Sequence, residues 1–144
     1  MQSDDPRVQA IVERFERLGA ADVARLSEIY TPDAYFKDPF NEVRGTAAIE
    51  HLFAHMFAAL EGPRFVVHDA IVQGDQCFLR WDFLFRMKRW QREEQCIRGG
   101  SHLVLAADGR ISLHRDYWDA AEELYEKLPL LGSLMRWLKK RVNA

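Results

Sequence analysis

The chain has 144 residues, of which 48% are hydrophobic and 29% are charged, and its formal net charge is −2. These values are typical of one globular domain with its own core, and they lack the basic footprint of a nucleic-acid-binding protein. No apolar run approaches the roughly 18 residues of a membrane span, so a membrane location is not expected. We therefore interpret residues 1–144 as a single domain with a short N-terminal tail over 1–5.

The cysteines and the N-terminus indicate the compartment. Cys77 and Cys96 form no CxxC pair, and no cluster of histidines stands near them at zinc-ligand spacing. The first residues lack the basic and apolar segments of a signal peptide. We expect reduced thiols and a cytoplasmic protein.

Three helices are predicted in the first part of the chain. They begin at Pro6, Asp22 and Gly45, and a glycine or proline ends each of them. The segment 34–41 between the second and third helices is mixed, and it predicts one edge strand with a turn.

From residue 65 the hydrophobic period changes from helical to about 2, which is typical of strands. The predicted elements are strands at 65–73, 77–90, 95–106 and 111–119, a helix over 120–128, and an amphipathic extension over 129–144. Helices followed by a strand meander indicate an α+β fold. We expect a cone-shaped barrel, in which a curved, mostly antiparallel sheet wraps around the N-terminal helices and encloses a pocket.

The Asp108-Gly109 dipeptide predicts a two-residue hairpin turn between the last two strands. The resulting pairs are Ser101 with Asp116, Leu103 with His114, and Gly99 with Trp118. The glycine would leave room for the tryptophan ring. Because side chains alternate along a strand, His114, Asp116 and Trp118 share one face.

Two aspartates lie in the middle of predicted strands, Asp82 and Asp116, although aspartate is disfavoured there. A buried carboxyl group with a shifted pKa suits proton transfer. An exposed sheet face or a structural ion-pair network explains the same pattern. His114 is a candidate second proton carrier or a core histidine, and Trp118 with Phe36 is a candidate pocket wall.

Two segments resemble known enzymes of one superfamily, the SnoaL-like or nuclear-transport-factor-2-like proteins. The run 30–40, followed by Arg44-Gly45, resembles the segment of ketosteroid isomerases that carries their general base, which would be Asp38 here. The runs 80–82 and 114–119 resemble limonene-epoxide hydrolases. That resemblance implies an Asp–Arg–Asp catalytic trio of Asp82, Arg80 and Asp116.

The sequence also departs from both enzymes. The tyrosine and the neutral acid of the isomerase oxyanion hole fall on Phe15 and Ser101, and phenylalanine has no hydroxyl to donate. The water-holding tyrosine and asparagine of the hydrolases fall on Phe36 and Asp38. The resemblance therefore implies a pocket that mixes features of the two, lined by Phe15, Phe36, Ser101, His114 and Trp118.

These observations predict a cofactor-independent enzyme that uses carboxylate acid/base chemistry on a small, largely apolar molecule, by isomerase-like or epoxide-hydrolase-like steps. The alternative is a non-catalytic small-molecule binder or a protein-interaction module of the same fold. No metal site is expected, because His51 and His55 have no third ligand. The resemblance implies a homodimer through the outer sheet face, to which aromatic residues of the second strand would contribute.

Overall fold

The structure is a computed structural model that describes residues 3–88 and 93–123, together with residues 137 and 140. Its helices are α1 (Pro6–Glu16), α2 (Thr46–Ala59) and α3 (Ala120–Glu123), with a 3₁₀ helix at Ala20–Glu28. Its strands are β1 (Tyr30–Lys37), β2 (Glu42–Arg44), β3 (Leu60–Gln73), β4 (Gln76–Met87), β5 (Gln95–Leu105) and β6 (Ile111–Tyr117). The predicted extension over 129–144 lies outside the described residues, except for 137 and 140.

The first helix begins at its predicted cap, whereas the second begins at Ala20, with Gly19 at its N-cap instead of the predicted Asp22. The side chain of Asp5 accepts a hydrogen bond from the Arg7 amide at 2.9 Å, and Pro6 occupies the first turn of α1. Asp22 accepts from the Gly19 amide at 2.9 Å at the start of the 3₁₀ helix. These helices bury one apolar face against the sheet, with Phe15 on α1 pointing toward its interior.

The six strands form one mixed sheet in the order β2-β1-β6-β5-β4-β3. Most neighbours are antiparallel, as predicted, but β1 pairs with β6 in parallel, with Phe36 opposite His114. The sheet does not close on itself, since β2 and β3 are its edges. The single edge strand predicted near 34–41 is two strands, β1 and β2. The edge is formed by β2, and β1 is the next strand of the sheet.

The predicted hairpin register is confirmed away from the turn, whereas beside the turn it is shifted by one residue, with Leu105 opposite Ile111. Ser101 pairs with Asp116 and Leu103 with His114. Gly99 makes room for the ring of Trp81 and not for the expected ring of Trp118. A Cβ atom on Gly99 would come within 2.5 Å of Cη2 of Trp81, which pairs with Gly99 from β4. Gly99 thus allows the Trp81 indole to lie flat on the inner face of the sheet.

The two faces of β4 are divided by polarity. Leu79, Trp81, Phe83 and Phe85 are buried on the inner face, whereas Arg80 is exposed on the outer one. The prediction that these aromatic residues contribute to an exposed dimer surface is therefore wrong, because burial of apolar area decides which side of the strand turns inward. The exposed large apolar residues on the outer face are Ile71 and Phe78.

Within the described ranges, no helix is long and apolar enough to cross a membrane.

Replacing Gly99 by alanine tests the packing of the Trp81 ring. The added methyl group would overlap the indole at 2.5–2.9 Å, so Gly99→Ala is expected to destabilise the fold by about 1–3 kcal/mol. Urea unfolding measures this change. The matched control is Gly19→Ala, whose new methyl group would meet its nearest atom at an ordinary 3.5 Å. Equal stability of the two variants would contradict the close packing of Trp81.

Candidate functional site

A cavity opens between the inner face of the sheet and helix α2. It has about 950 Å³ of free space, including its open mouth. Its walls are mainly aromatic and aliphatic, and the polar side chains at its surface are few: Asp38, Asn41, His55 and Asp116, with the indoles of Trp81 and Trp118. A narrower space of about 340 Å³ continues inward past Phe65 and Trp81 to Phe15 and His114. Asp116 borders both parts.

Asp116 is the centre of a hydrogen-bonded network on the inner face. Its Oδ1 accepts from the Ser101 hydroxyl at 2.5 Å and from Nε2 of His114 at 2.7 Å. The Trp81 indole N–H donates to the Ser101 oxygen at 2.8 Å, and the Tyr30 hydroxyl lies 2.6 Å from Nδ1 of His114. These residues come from β1, β4, β5 and β6, so the sheet register positions the whole network.

The direction of each hydrogen bond follows from the chemistry of the partners. Burial, helped by the nearby Asp116 carboxylate, raises the pKa of Tyr30 well above the usual 10.0, so the hydroxyl keeps its proton. A buried hydroxyl needs an acceptor, and Nδ1 of His114 is the partner beside it. Nε2 then carries the imidazole proton and donates it to Asp116. In this arrangement His114 joins the Tyr30 hydroxyl on one side to the Asp116 carboxyl group on the other.

The second oxygen of Asp116, Oδ2, accepts no hydrogen bond from the described residues, and Asp116 lines the cavity. Both hydrogen bonds to this side chain end on Oδ1. Among the described residues, no buried side-chain oxygen or nitrogen lacks a partner, so Oδ2, which has none, is accessible. The carboxylate is therefore fixed on one side by two donors and open to a ligand on the other, which suits a general base.

Asp38 lies at the mouth of the same cavity. Its Oδ1 accepts from the backbone amides of Phe40 at 2.8 Å and Asn41 at 2.7 Å, and the Asn41 side-chain amide donates to both carboxylate oxygens. This is an Asx-type turn that shapes the connection from β1 to β2. Asp38 borders the cavity while it also closes a turn.

The predicted trio of Asp82, Arg80 and Asp116 is not brought together. Nε of Arg80 pairs with Asp69 at 2.6 Å, and Asp82 pairs with Nε2 of His68 at 3.0 Å, both across β3 and β4 on the outer face. Asp116 points to the inner face. The shared site predicted for these three residues is wrong, because alternation on β4 turns Trp81 inward and its two neighbours outward.

The five predicted pocket residues, Phe15, Phe36, Ser101, His114 and Trp118, all line the cavity or its inner extension. Phe15 contacts the His114 ring at a centroid distance of 5.7 Å and has no hydroxyl to offer. Sequence reasoning missed the role of Tyr30, whose hydroxyl reaches His114 from β1 instead. The sequence does indicate this role, because Tyr30 and Phe36 are separated by an even number of positions on β1 and such residues share one face of a strand.

No group of three or more histidine, cysteine, aspartate or glutamate side chains in the described ranges is arranged to hold a metal ion.

Comparisons with known proteins agree with this architecture. The family profile described as a SnoaL-like domain matches residues 9–114. Among curated proteins, no sequence matches the chain.

Solved structures with the same fold are numerous. A protein from Catenulispora acidiphila DSM 44928 with a ketosteroid isomerase-like fold, in complex with trimethylamine, has a TM-score of 0.72 at 15% identity and covers 85% of this chain and 92% of its own. A proposed SnoaL-like polyketide cyclase from Jannaschia sp. CCS1 has a TM-score of 0.70 at 18% identity, and the match covers 85% of this chain and 94% of the cyclase. An LEH-like epoxide hydrolase of M. tuberculosis has a TM-score of 0.65 at 18% identity, and the match covers 81% of this chain and 83% of the hydrolase. At these identities the likeness shows the fold alone.

The role of Tyr30 predicts a specific pH dependence of stability. Because its pKa is raised by burial, the folded chain holds this proton more tightly than the unfolded chain does. The resulting stabilisation is complete below about pH 10 and is lost as the pH rises above it. Tyr30→Phe is expected to lower the free energy of unfolding by about 1–3 kcal/mol at neutral pH, since His114 loses its donor. It should also flatten the alkaline decline.

Urea unfolding at neutral and alkaline pH measures both effects. The control is Tyr117→Phe, because Tyr117 is exposed and its ring packs under Arg115. This variant should keep the wild-type decline. An alkaline decline of the same size in Tyr30→Phe would contradict the assignment.

Proposed function

The chain belongs to the SnoaL-like domain family, and on that premise we propose that it is a cofactor-independent enzyme that transfers protons on a small, largely apolar metabolite. The observation that supports the proposal is the position of Asp116. Its Oδ1 is held by Ser101 and His114, its Oδ2 has no described hydrogen-bond partner, and the residue lines an aromatic cavity. This family includes enzymes, and its fold is shared with polyketide cyclases and epoxide hydrolases.

The reaction that fits best is proton transfer next to a carbonyl group. Oδ2 of Asp116 removes a proton from the carbon beside the carbonyl, and the C–H electron pair moves into an enolate. The same carboxyl group then returns the proton to another carbon of the conjugated system, which completes an isomerisation. The mainly apolar walls favour this step, because few other polar side chains compete for the base.

The hydrogen bonds behind Asp116 keep the base in position. Ser101 and His114 hold the carboxylate plane, and Tyr30 fixes the imidazole tautomer from the other side. Such a chain orients one oxygen toward the substrate and stabilises the ionised form between turnovers. Asp38, at the mouth, is the second carboxylate available to the substrate.

Epoxide hydrolysis by an Asp–Arg–Asp trio has less support, because Arg80 and Asp82 pair with Asp69 and His68 on the outer face. The non-catalytic alternative is a binder that uses the same cavity. It differs from the enzyme in one measurable respect: a binder turns over nothing, whichever carboxylate is changed.

Replacing Asp116 by asparagine tests the proposal. The amide keeps the shape and the Oδ1 contacts but cannot accept a proton, so Asp116→Asn is expected to slow turnover by about 10²–10⁴-fold. The assay is proton exchange into deuterated water next to the carbonyl of cyclic ketones, followed by NMR, with epoxide opening run in parallel. Binding of the same ketones should change little.

Asp82→Asn is the matched control, because it makes the same chemical change on the outer face of the sheet. It should leave the exchange rate within about twofold of the wild type. If Asp116→Asn and Asp82→Asn lower the exchange rate equally, the result would support catalysis by the trio of Asp82, Arg80 and Asp116. A wild-type protein that exchanges no ketone and opens no epoxide, but binds them, would favour the non-catalytic alternative.

A further inference from the structure

Two carboxylates line the cavity, and the histidine His55 is the basic side chain in its described lining. Asp38 and Asp116 both border the space, whereas its described lining includes no lysine and no arginine. In contrast, several carboxylates elsewhere have an arginine partner, such as Asp5 with Arg7 and Asp108 with Arg110. The cavity therefore differs from the rest of the described surface in its charge balance.

The described partners of the two cavity carboxyl groups include no lysine and no arginine. Asp38 accepts from backbone amides and from the Asn41 side chain. Asp116 accepts from the Ser101 hydroxyl and from Nε2 of His114, whose Nδ1 faces the Tyr30 hydroxyl. A cationic ligand would therefore meet carboxyl groups that no described ammonium or guanidinium group already pairs.

The two carboxylate residues follow neighbouring positions of the sheet. The parallel pairing of β1 with β6 places Lys37 opposite Arg115, and Asp38 and Asp116 are the next residues along the chain. Both side chains line the same cavity. A positive group bound there would be attracted to both carboxylates.

Aromatic rings surround this negative end of the cavity. Phe40 and Trp118 meet edge to face at the mouth, with ring centroids 5.6 Å apart. Further in, Phe36 packs against Phe53 at 6.2 Å, and Phe65 against Trp81 at 5.5 Å. Aromatic faces attract cations, and alkylated ammonium groups are the ligands that such walls and nearby carboxylates recognise together.

We infer that the molecule bound in this cavity carries an organic cation, a tertiary or quaternary ammonium group, on an otherwise apolar body. The ammonium group would lie between Asp38, Asp116 and the rings of the mouth, and the apolar body would fill the inner walls. The inference names the substrate class of the site proposed above. It rests on that proposal for the statement that the bound molecule is turned over.

The basic residues nearest the mouth have partners outside the cavity. Lys37 and Arg115 border a neighbouring groove whose lining also includes Asp38, Asp116 and Trp118. Nζ of Lys37 pairs with Glu42 at 3.1 Å, and the Arg115 guanidinium lies 4.8 Å from the centroid of the Tyr117 ring. Neither side chain lines the cavity itself.

Three probes of one shape separate charge from shape: choline, 3,3-dimethylbutan-1-ol and 3,3-dimethylbutanoate, which are cationic, neutral and anionic. Titrations of the full chain, followed by the indole N–H signals in NMR, measure their affinities. Choline is expected to bind at least about 10-fold more tightly than the alcohol, and the carboxylate is expected not to bind. Equal affinity for choline and the alcohol, or no choline binding at tens of millimolar, would overturn the inference.

Substitutions locate the cation. Asp38→Asn and Asp116→Asn should each lower the choline affinity by about 5–10-fold and leave the alcohol unchanged, since each removes one charge. Trp118→Leu should lower the affinity for choline more than the affinity for the alcohol. The matched control is Asp33→Asn, which makes the same change on β1 at an exposed position outside the cavity. Choline affinity that is insensitive to both cavity carboxylates would place the cation elsewhere and overturn the inference.

The two proposals fail in different ways. If choline is not preferred but ketone exchange still depends on Asp116, the inference of an ammonium ligand is wrong and the proposed enzymatic activity stands. The opposite outcome is a preference for choline that depends on the carboxylates, without proton exchange of any ketone or of aminoketones that carry a trimethylammonium group. In that case the proposed reaction is wrong, and the protein is a non-catalytic binder of organic cations.

Discussion

The pairing of β5 with β6 is the constraint on which the site depends. It places Ser101 opposite Asp116 on the inner face, so a carboxylate that would be costly to bury has a donor beside it. The parallel pairing with β1 adds Tyr30 and His114 to the same face. A shift of one residue in this register would turn Asp116 outward and remove the open oxygen from the cavity.

The parts of this arrangement that depend on local chemistry could be predicted from the sequence. The Asp108-Gly109 turn fixes the hairpin because few residues adopt its backbone conformation, and Gly109 has φ +87°. Alternation then assigns faces, so His114, Asp116 and Trp118 were correctly grouped. Helix starts at Pro6 and at Gly45 were equally readable, because capping acts over a single turn.

The remainder depends on contacts between distant segments. The parallel pairing of β1 with β6 brings together residues 84 positions apart, as between Tyr30 and His114, and no local pattern encodes it. The prediction of the trio is wrong for another reason: the motif resemblance places Arg80 and Asp82 in the site, whereas the apolar alternation of β4 favours Trp81 as the inward residue. Burial of the indole outweighs the pairing of charges.

The same long-range closure has a consequence for biosynthesis. Tyr30 is made early and His114 late, so a chain emerging from the ribosome holds half of the network for most of its synthesis and can complete it only when β6 is available. Until then β1 has no partner on its β6 side, and the exposed backbone of that strand is open to other chains. Assembly of the base and protection of the strand against aggregation therefore occur in one step.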